Sequence, residues 1–166
     1  NDFSSAALIF AELMKDEPGN VDFARRYAEL TLWSGNHESS LEIYRQLLIE
    51  DISRTSLWQG FLDAAAGAQT KASRDLELCA EIGKRLNLTD SDDTELLSRL
   101  ASVLLSAGQP KQAIALLENV IRQSPRDRRA RLLLADTLNG LGKYRQADQH
   151  YTALLGNVQQ ARQSGA

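Results

Sequence analysis

Two histidines, His37 and His150, and a single cysteine, Cys79, are the side chains of this 166-residue chain best suited to ligate a metal or to act as base or nucleophile. The chain has no His-Glu-x-x-His and no cysteine pair, so a zinc-peptidase or other transition-metal site lacks ligands. His37 follows Gly35 at a turn and His150 falls on a helix, and both are expected to be solvated helix residues. Cys79 reads as a small core residue, because a nucleophile needs an adjacent base that the sequence does not supply. Gly142-Lys143 lacks the earlier Gly and the following Ser or Thr of a phosphate-binding loop. Thr137 and Tyr144 hold those places, and a helix-ending turn is the better reading.

Two charge runs invite further chemistry. From Asp90, a calcium loop needs Gly at its sixth place and Glu at its twelfth; Glu95 and Ala101 stand there, so Asp90 to Glu95 is read as carboxylates gathered at a helix N-terminus. Arg126-Asp127-Arg128-Arg129-Ala130-Arg131 is the one dense basic cluster. No aromatic residues interleave with it for base stacking, so it reads as a solvated turn. A formal charge of −3 supplies no general attraction to nucleic acid or anionic lipid. With no constellation of nucleophile, base and orienting group, an enzyme is not expected, nor is a cofactor.

The elements that would carry any surface are legible in a period. Leu100-Ala101 recurs as Leu134-Ala135, Gly108 as Gly142, and Ala113 as Ala147, each pair 34 residues apart. The same frame sets Leu117 over Tyr151 and Val120 over Leu154. Leu100, Ala101 and Leu104 share one helix face and Ala113, Leu116, Leu117 and Val120 another, both at 3.6-residue spacing. The small Ala101 and Ala113 sit where two antiparallel helices must come closest. Gly108 ends the first helix and Pro125 prevents continuation of the second. A period in this range marks stacked repeats, each unable to bury its own apolar face.

This order of Leu-Ala, Gly, Ala, aromatic or Leu, then Pro, resembles the tetratricopeptide repeat family. The resemblance implies signature positions Leu97, Leu100, Ala101, Gly108, Ala113, Leu117, Val120 and Pro125 in one repeat, and Arg131, Leu134, Ala135, Gly142, Tyr144, Ala147, Tyr151 and Leu154 in the next. It implies an all-α fold, a right-handed superhelical solenoid of antiparallel helix pairs. The chain then divides into a second helix of a truncated repeat (1–20), repeats at 21–54, 55–93, 94–127 and 128–158, and a tail (159–166), one repeat domain over 1–166. The N-terminal Asn1-Asp2-Phe3 has no Met and no signal-peptide layout, which reads as a cut within a longer chain. Helices are predicted near 3–15, 20–33, 37–49, 54–67, 72–86, 92–107, 110–123, 127–141 and 144–156. Ser53 is the expected N-cap of the fourth. The second full repeat is five residues longer than its neighbours; the excess is assigned to a turn at Ala66 to Lys71, and Leu76, Cys79, Ile82 and Leu86 to the buried face that follows. Gly83 would replace the aromatic of the pattern.

In the family, first helices line the concave groove. Position by position this implies Asp22, Arg25, Glu29 and Trp33 in the first complete repeat, Gln59 and Asp63 in the second, Glu95, Ser98 and Ser102 in the third, and Arg129, Leu132, Asp136 and Asn139 in the fourth. Some members clamp a C-terminal carboxylate; Arg25 matches one clamp position, but Glu29 and Gly60 stand where amides are wanted, so that clamp is not expected. The function implied is non-catalytic binding of a partner peptide or helix, with no nucleic acid, no membrane insertion, and association through exposed terminal repeats as a further route. Leu32-Trp33-Ser34-Gly35 followed by Leu41-x-x-Tyr44-x-x-Leu47-Leu48 is also similar to repeats in the periplasmic arrays of bacterial exopolysaccharide-export proteins. That implies an alternative, a spacer segment of a larger scaffold. A single cysteine cannot form an internal disulfide, which leaves cytoplasm or periplasm open.

Overall fold

Four short polar side chains begin helices of this chain. Asn20 accepts from the Asp22 and Phe23 amides (3.1 and 3.2 Å), Asn36 from Ser39 (3.2 Å), Asp93 from Leu96 (3.0 Å) and Asp127 from Ala130 (2.9 Å). Each satisfies an amide that the helix leaves without a partner and is worth about 1 kcal/mol. In the computed structural model, which describes residues 3–86 and 93–163 (side chains to 156 in the last helix), the elements are all helical. They are α1 (Phe3–Asp16), α2 (Val21–Trp33), α3 (His37–Glu50), a 3₁₀ turn (Thr55–Leu57) leading into α4 (Trp58–Gly67), α5 (Ser73–Arg85), α6 (Thr94–Ser106), α7 (Pro110–Gln123), α8 (Arg128–Gly140) and α9 (Tyr144–Gln163).

The chain forms two compact units, Asn1–Leu86 and Asn87–Ala166. In the first, α1 packs on α2, α2 on α3 and α3 on α4. Its core holds Ala28, Leu41, Tyr44, Leu48, Phe61 and Leu62, all nearly or wholly removed from solvent. Ser40 is small at the α2–α3 crossing and its hydroxyl donates to the Ala28 carbonyl at 2.8 Å, so the close approach gains a hydrogen bond. In the second unit α6 packs on α7, α7 on α8 and α8 on α9, burying Leu97, Ala101, Ala113, Leu117, Val120, Leu134 and Ala135.

One turn recurs within the pairs. Gly35, Gly108 and Gly142 adopt φ of 87°, 74° and 74°, the left-handed conformation that costs a side chain energy and glycine nothing. The second repeat makes the same turn without glycine. Gln69 takes φ 51°, its amide donates to Ala66 and the next amide, Thr70, to Ala65, as Gly35 and Asn36 do to Leu32 and Thr31.

This second repeat departs from expectation in its bookkeeping of residues and in its buried face. The α4–α5 turn has five residues where the other pairs have three, and eight residues separate α5 from α6 where four separate α3 from the 3₁₀ turn. The excess is therefore shared between the two connections rather than confined to Ala66 to Lys71; residues 87–92 of the second lie outside those described. In α5 the buried residues are Asp75, Cys79, Ile82 and Gly83, the spacing of Ser40, Tyr44, Leu47 and Leu48 in α3. Cys79 and Ile82 are buried as expected, while Leu76 and Leu86 are only half-buried and Asp75 and Gly83 complete the face. Cys79, and not Gly83, thus stands at the place of Tyr44. Ser53 is not a cap either: the Asp51 carboxylate accepts from its amide (2.9 Å) and hydroxyl (2.6 Å), which holds Asp51 below the usual carboxylate range, and Arg54 precedes the 3₁₀ turn. Helix α9 runs seven residues beyond the predicted 156, to Gln163; the remainder of the expected tail, 164–166, lies outside the described residues.

Candidate functional site

Helix α2 carries Asp22, Arg25, Glu29 and Trp33 at spacings of three and four, which places them in one row. The guanidinium of Arg25 lies 2.6 Å from the Glu29 carboxylate and 3.7 Å from that of Asp22, and Arg26 adds a 3.0 Å contact to Glu29. Arg25 and Glu29 are both largely covered, so this pair is better ordered than a freely solvated one. At the C-terminal end of the row Trp33 is 57% exposed, its ring centroid 5.5 Å from that of Phe3.

Beneath this row lies Tyr44, which the sequence reading did not assign to the site. Its side chain is buried and its ring is seated against Gly60 of α4, where even a Cβ would come within 2.2 Å of Cζ. Burial pushes the phenol pKa far up, Glu29 and Asp63 add to the rise, and Arg25 opposes it. The buried phenol thus feels the charges of Glu29, Arg25 and Asp63. Gly60 was the available clue: a glycine within a helix marks a place where another group comes close. Gln59, beside it, is exposed.

In the second unit the assigned residues do not make a comparable cluster. Glu95 pairs with Arg99 at 2.8 Å. Ser98 and Ser102 are half-buried, and Ser102 donates to the Ser98 carbonyl (3.1 Å), so its hydroxyl is committed to its own helix. On α8, Arg129 and Asn139 are exposed and Leu132 is 47% exposed. Asp136 accepts a 2.7 Å hydrogen bond from the Tyr151 hydroxyl of α9, which raises the Tyr151 phenol above its usual range. Asn139, Tyr144, Ala147, Asp148 and Tyr151 line a shallow cleft along these two helices. In the basic cluster, Asp127 caps α8 and Arg131 donates to the Pro125 carbonyl at 2.7 Å, so part of it is spent on the turn itself.

Neither histidine is a fully solvated residue. The His37 ring lies against Gly67, which has no Cβ to meet it, and His150 is half-buried, with burial and then the Arg131 charge lowering its pKa. Cys79 is 1% exposed, and burial pushes its thiol up to about 12, so it stays protonated and unreactive in the folded chain. Among the described residues no three His, Cys, Asp or Glu side chains are placed to hold a metal ion. No helix among them is long and apolar enough to cross a membrane.

A second polar feature was missed altogether. Asp75, with no solvent exposure, accepts from Arg45 Nε (2.5 Å) and Nη2 (3.2 Å) and from the Thr70 hydroxyl (2.6 Å). Arg45 also meets Glu42. By burial pattern Asp75 occupies the close-approach place held elsewhere by Ser40, Ala113 and Ala147.

Comparison with known proteins agrees with the repeat geometry. A family model described as tetratricopeptide repeat matches residues 104–166. No curated protein matches the chain. Among solved structures, a crystal structure of MamA protein is similar at 17% identity with a TM-score of 0.78, over 98% of this chain and 86% of that one. A second crystal structure of MamA gives 17% identity and 0.77, over 98% and 92%. The segment of MamA from residue 41 to the end, from Desulfovibrio magneticus RS-1, gives 10% identity and 0.78, over 94% and 85%. At such identities the likeness speaks for fold. The tetratricopeptide-repeat model is thus matched directly across α7 to α9, and the chain as a whole has the paired-helix repeat fold of these structures.

Proposed function

We propose that the chain is a non-catalytic protein–protein interaction scaffold that receives an extended peptide or helix of a partner along the α2 and α4 side of its first unit. The observation that carries this reading is the α2 row: Arg25 is held between Asp22 and Glu29, and an exposed Trp33 closes the row. Ordered charges and a rigid aromatic offer contact area and direction at little entropic cost. With Asp63 and Gln59 on α4, the face carries three carboxylates against the guanidiniums of Arg25 and Arg26, a small acidic excess that favours a partner bringing positive charge. The assigned residues of α6 and α8, including Leu132, Asp136 and Asn139, offer a separate face in the second unit.

The experiment is a titration of the partner captured by a photo-crosslinker at position 33, against Arg25→Glu, Asp63→Lys, Lys111→Glu and Glu118→Lys. Lys111 and Glu118 are exposed on α7 and serve as controls. Asp63→Lys, which takes negative charge from the face, is expected to weaken binding about tenfold or more and Arg25→Glu, which adds it, to strengthen binding, both effects shrinking as salt is raised. Equal responses from all four would make this segment a spacer and sink the assignment.

A further inference from the structure

Helix α5 is attached to its unit differently from the other second helices. In α3 the buried face is built from Tyr44, Leu47 and Leu48; in α5 the matching places hold Cys79, Ile82 and Gly83, of which only Ile82 is large. The backbones of α4 and α5 approach closely at only a few points, whereas the α1–α2, α2–α3, α6–α7 and α8–α9 pairs do so along their lengths. The turn leading into α5 is longer and puts Gln69, without glycine's freedom, in the left-handed region. Apolar attachment is therefore thin, and the strong contact is concentrated at one fully buried carboxylate.

We propose that Arg45, Asp75 and Thr70 form a latch on a detachable helix: α5 leaves as a local unit when Asp75 parts from its partners, while α1 to α4 stay folded. The physical reason is that a buried ion pair has no stable halfway state. A carboxylate that keeps its burial but loses its guanidinium is far costlier than one returned to water, so both groups are either joined or hydrated. Such an all-or-none contact converts a thinly packed helix into a two-state element, the kind of segment that opens below the global unfolding limit. The Arg45 fork, engaged by Asp75 through two nitrogens, also sets the register in which α5 returns.

Cys79 is the reporter, since it is the chain's one cysteine, lies one helical turn from Asp75 and is 1% exposed. The whole chain is treated with excess aromatic disulfide reagent in non-denaturing urea, and global unfolding of the unit is followed by tryptophan fluorescence. In the wild type, labelling is expected through an opening whose urea dependence is well below that of global unfolding. Asp75→Ala installs the residue found at positions 113 and 147 and leaves Arg45 only Glu42, on its own helix; it should speed labelling roughly 100-fold with Trp58 emission unchanged. Thr70→Val, which removes one of the hydrogen bonds, should speed it roughly tenfold. Arg45→Met with Asp75→Ala should recover most of the wild-type protection. The proposal is overturned if labelling carries the full urea dependence of unfolding, if Asp75→Ala leaves the rate unchanged, or if that variant loses the folded Trp58 signal along with α5.

Discussion

Gly60→Ala and Gly140→Ala are the same substitution within two helices of this chain, and the structure assigns them opposite signs. On helix propensity alone, alanine is favoured over glycine by about 1 kcal/mol. At Gly140 a new Cβ meets nothing within 4 Å, so the propensity gain is kept and a stabilisation of about 0.5–1 kcal/mol is expected. At Gly60 the Cβ would lie 2.2 Å from Tyr44 Cζ, 2.3 Å from its hydroxyl oxygen and 2.8 Å from Cε1. Ordinary contact begins near 3.4 Å, so the ring must retreat by about an ångström, and with Tyr44 only 2% exposed it has no solvent to retreat into. Overpacking of this kind costs about 1–3 kcal/mol. A net loss of about 1–2 kcal/mol is expected, on the order of a 1 M fall in urea midpoint. Both tryptophans lie in the first unit, so their emission follows the unit that contains Gly60; far-UV circular dichroism follows Gly140→Ala. In a Tyr44→Leu background, which mimics Leu117, the penalty of Gly60→Ala should largely vanish. A raised midpoint for Gly60→Ala in the wild-type background would refute the reasoning, because propensity would then outweigh the ring contact.

The two tryptophans should respond differently to acrylamide: with Trp33→Phe, the remaining Trp58, 5% exposed and donating to the Ile52 carbonyl at 2.9 Å, should quench several-fold less than Trp33 does in Trp58→Phe. Equal quenching would contradict the burial of Trp58. His150 is held below the ordinary histidine pKa, so as pH falls through that ordinary value the unfolded chain takes up the proton first and the second unit loses stability until the folded pKa is passed. Urea midpoints at pH 7.5 and 5.5 should therefore differ more in the wild type than in His150→Leu, which also restores the residue type of the buried Leu116 one period earlier. An unchanged difference would mean that His150 is not the group responsible.

The candidate site was legible to the extent that it follows helix periodicity. Asp22, Arg25, Glu29 and Trp33 share a row because three- and four-residue spacing puts them there, and side chains of opposite charge at that spacing pair. Tyr44 was read only as part of a repeat string on the neighbouring helix. What draws it toward the charged row is the absent side chain of Gly60, on a helix that contacts α3 across a connection rather than within a repeat. In the second unit the frame placed Asp136 and Asn139 on α8, but the hydrogen bond from Tyr151 depends on the facing of two helices, which no single helix encodes.

By itself the sequence determined the repeat unit: the 34-residue period, the small residues at helix crossings and the glycines with positive φ are local or near-local requirements, and each can be met only by a few residue types. Helix boundaries followed to within a few residues, except for the last helix. Where the period broke, local rules had no purchase. Asp75 reads as an ordinary acidic residue in the first turn of a helix, favoured there by the dipole. Only tertiary structure, by bringing Arg45 from thirty residues away, made it a fully buried carboxylate. The reason is that burial of a charge is decided by what stands opposite it, and across a connection of irregular length the partner has no fixed spacing to be read.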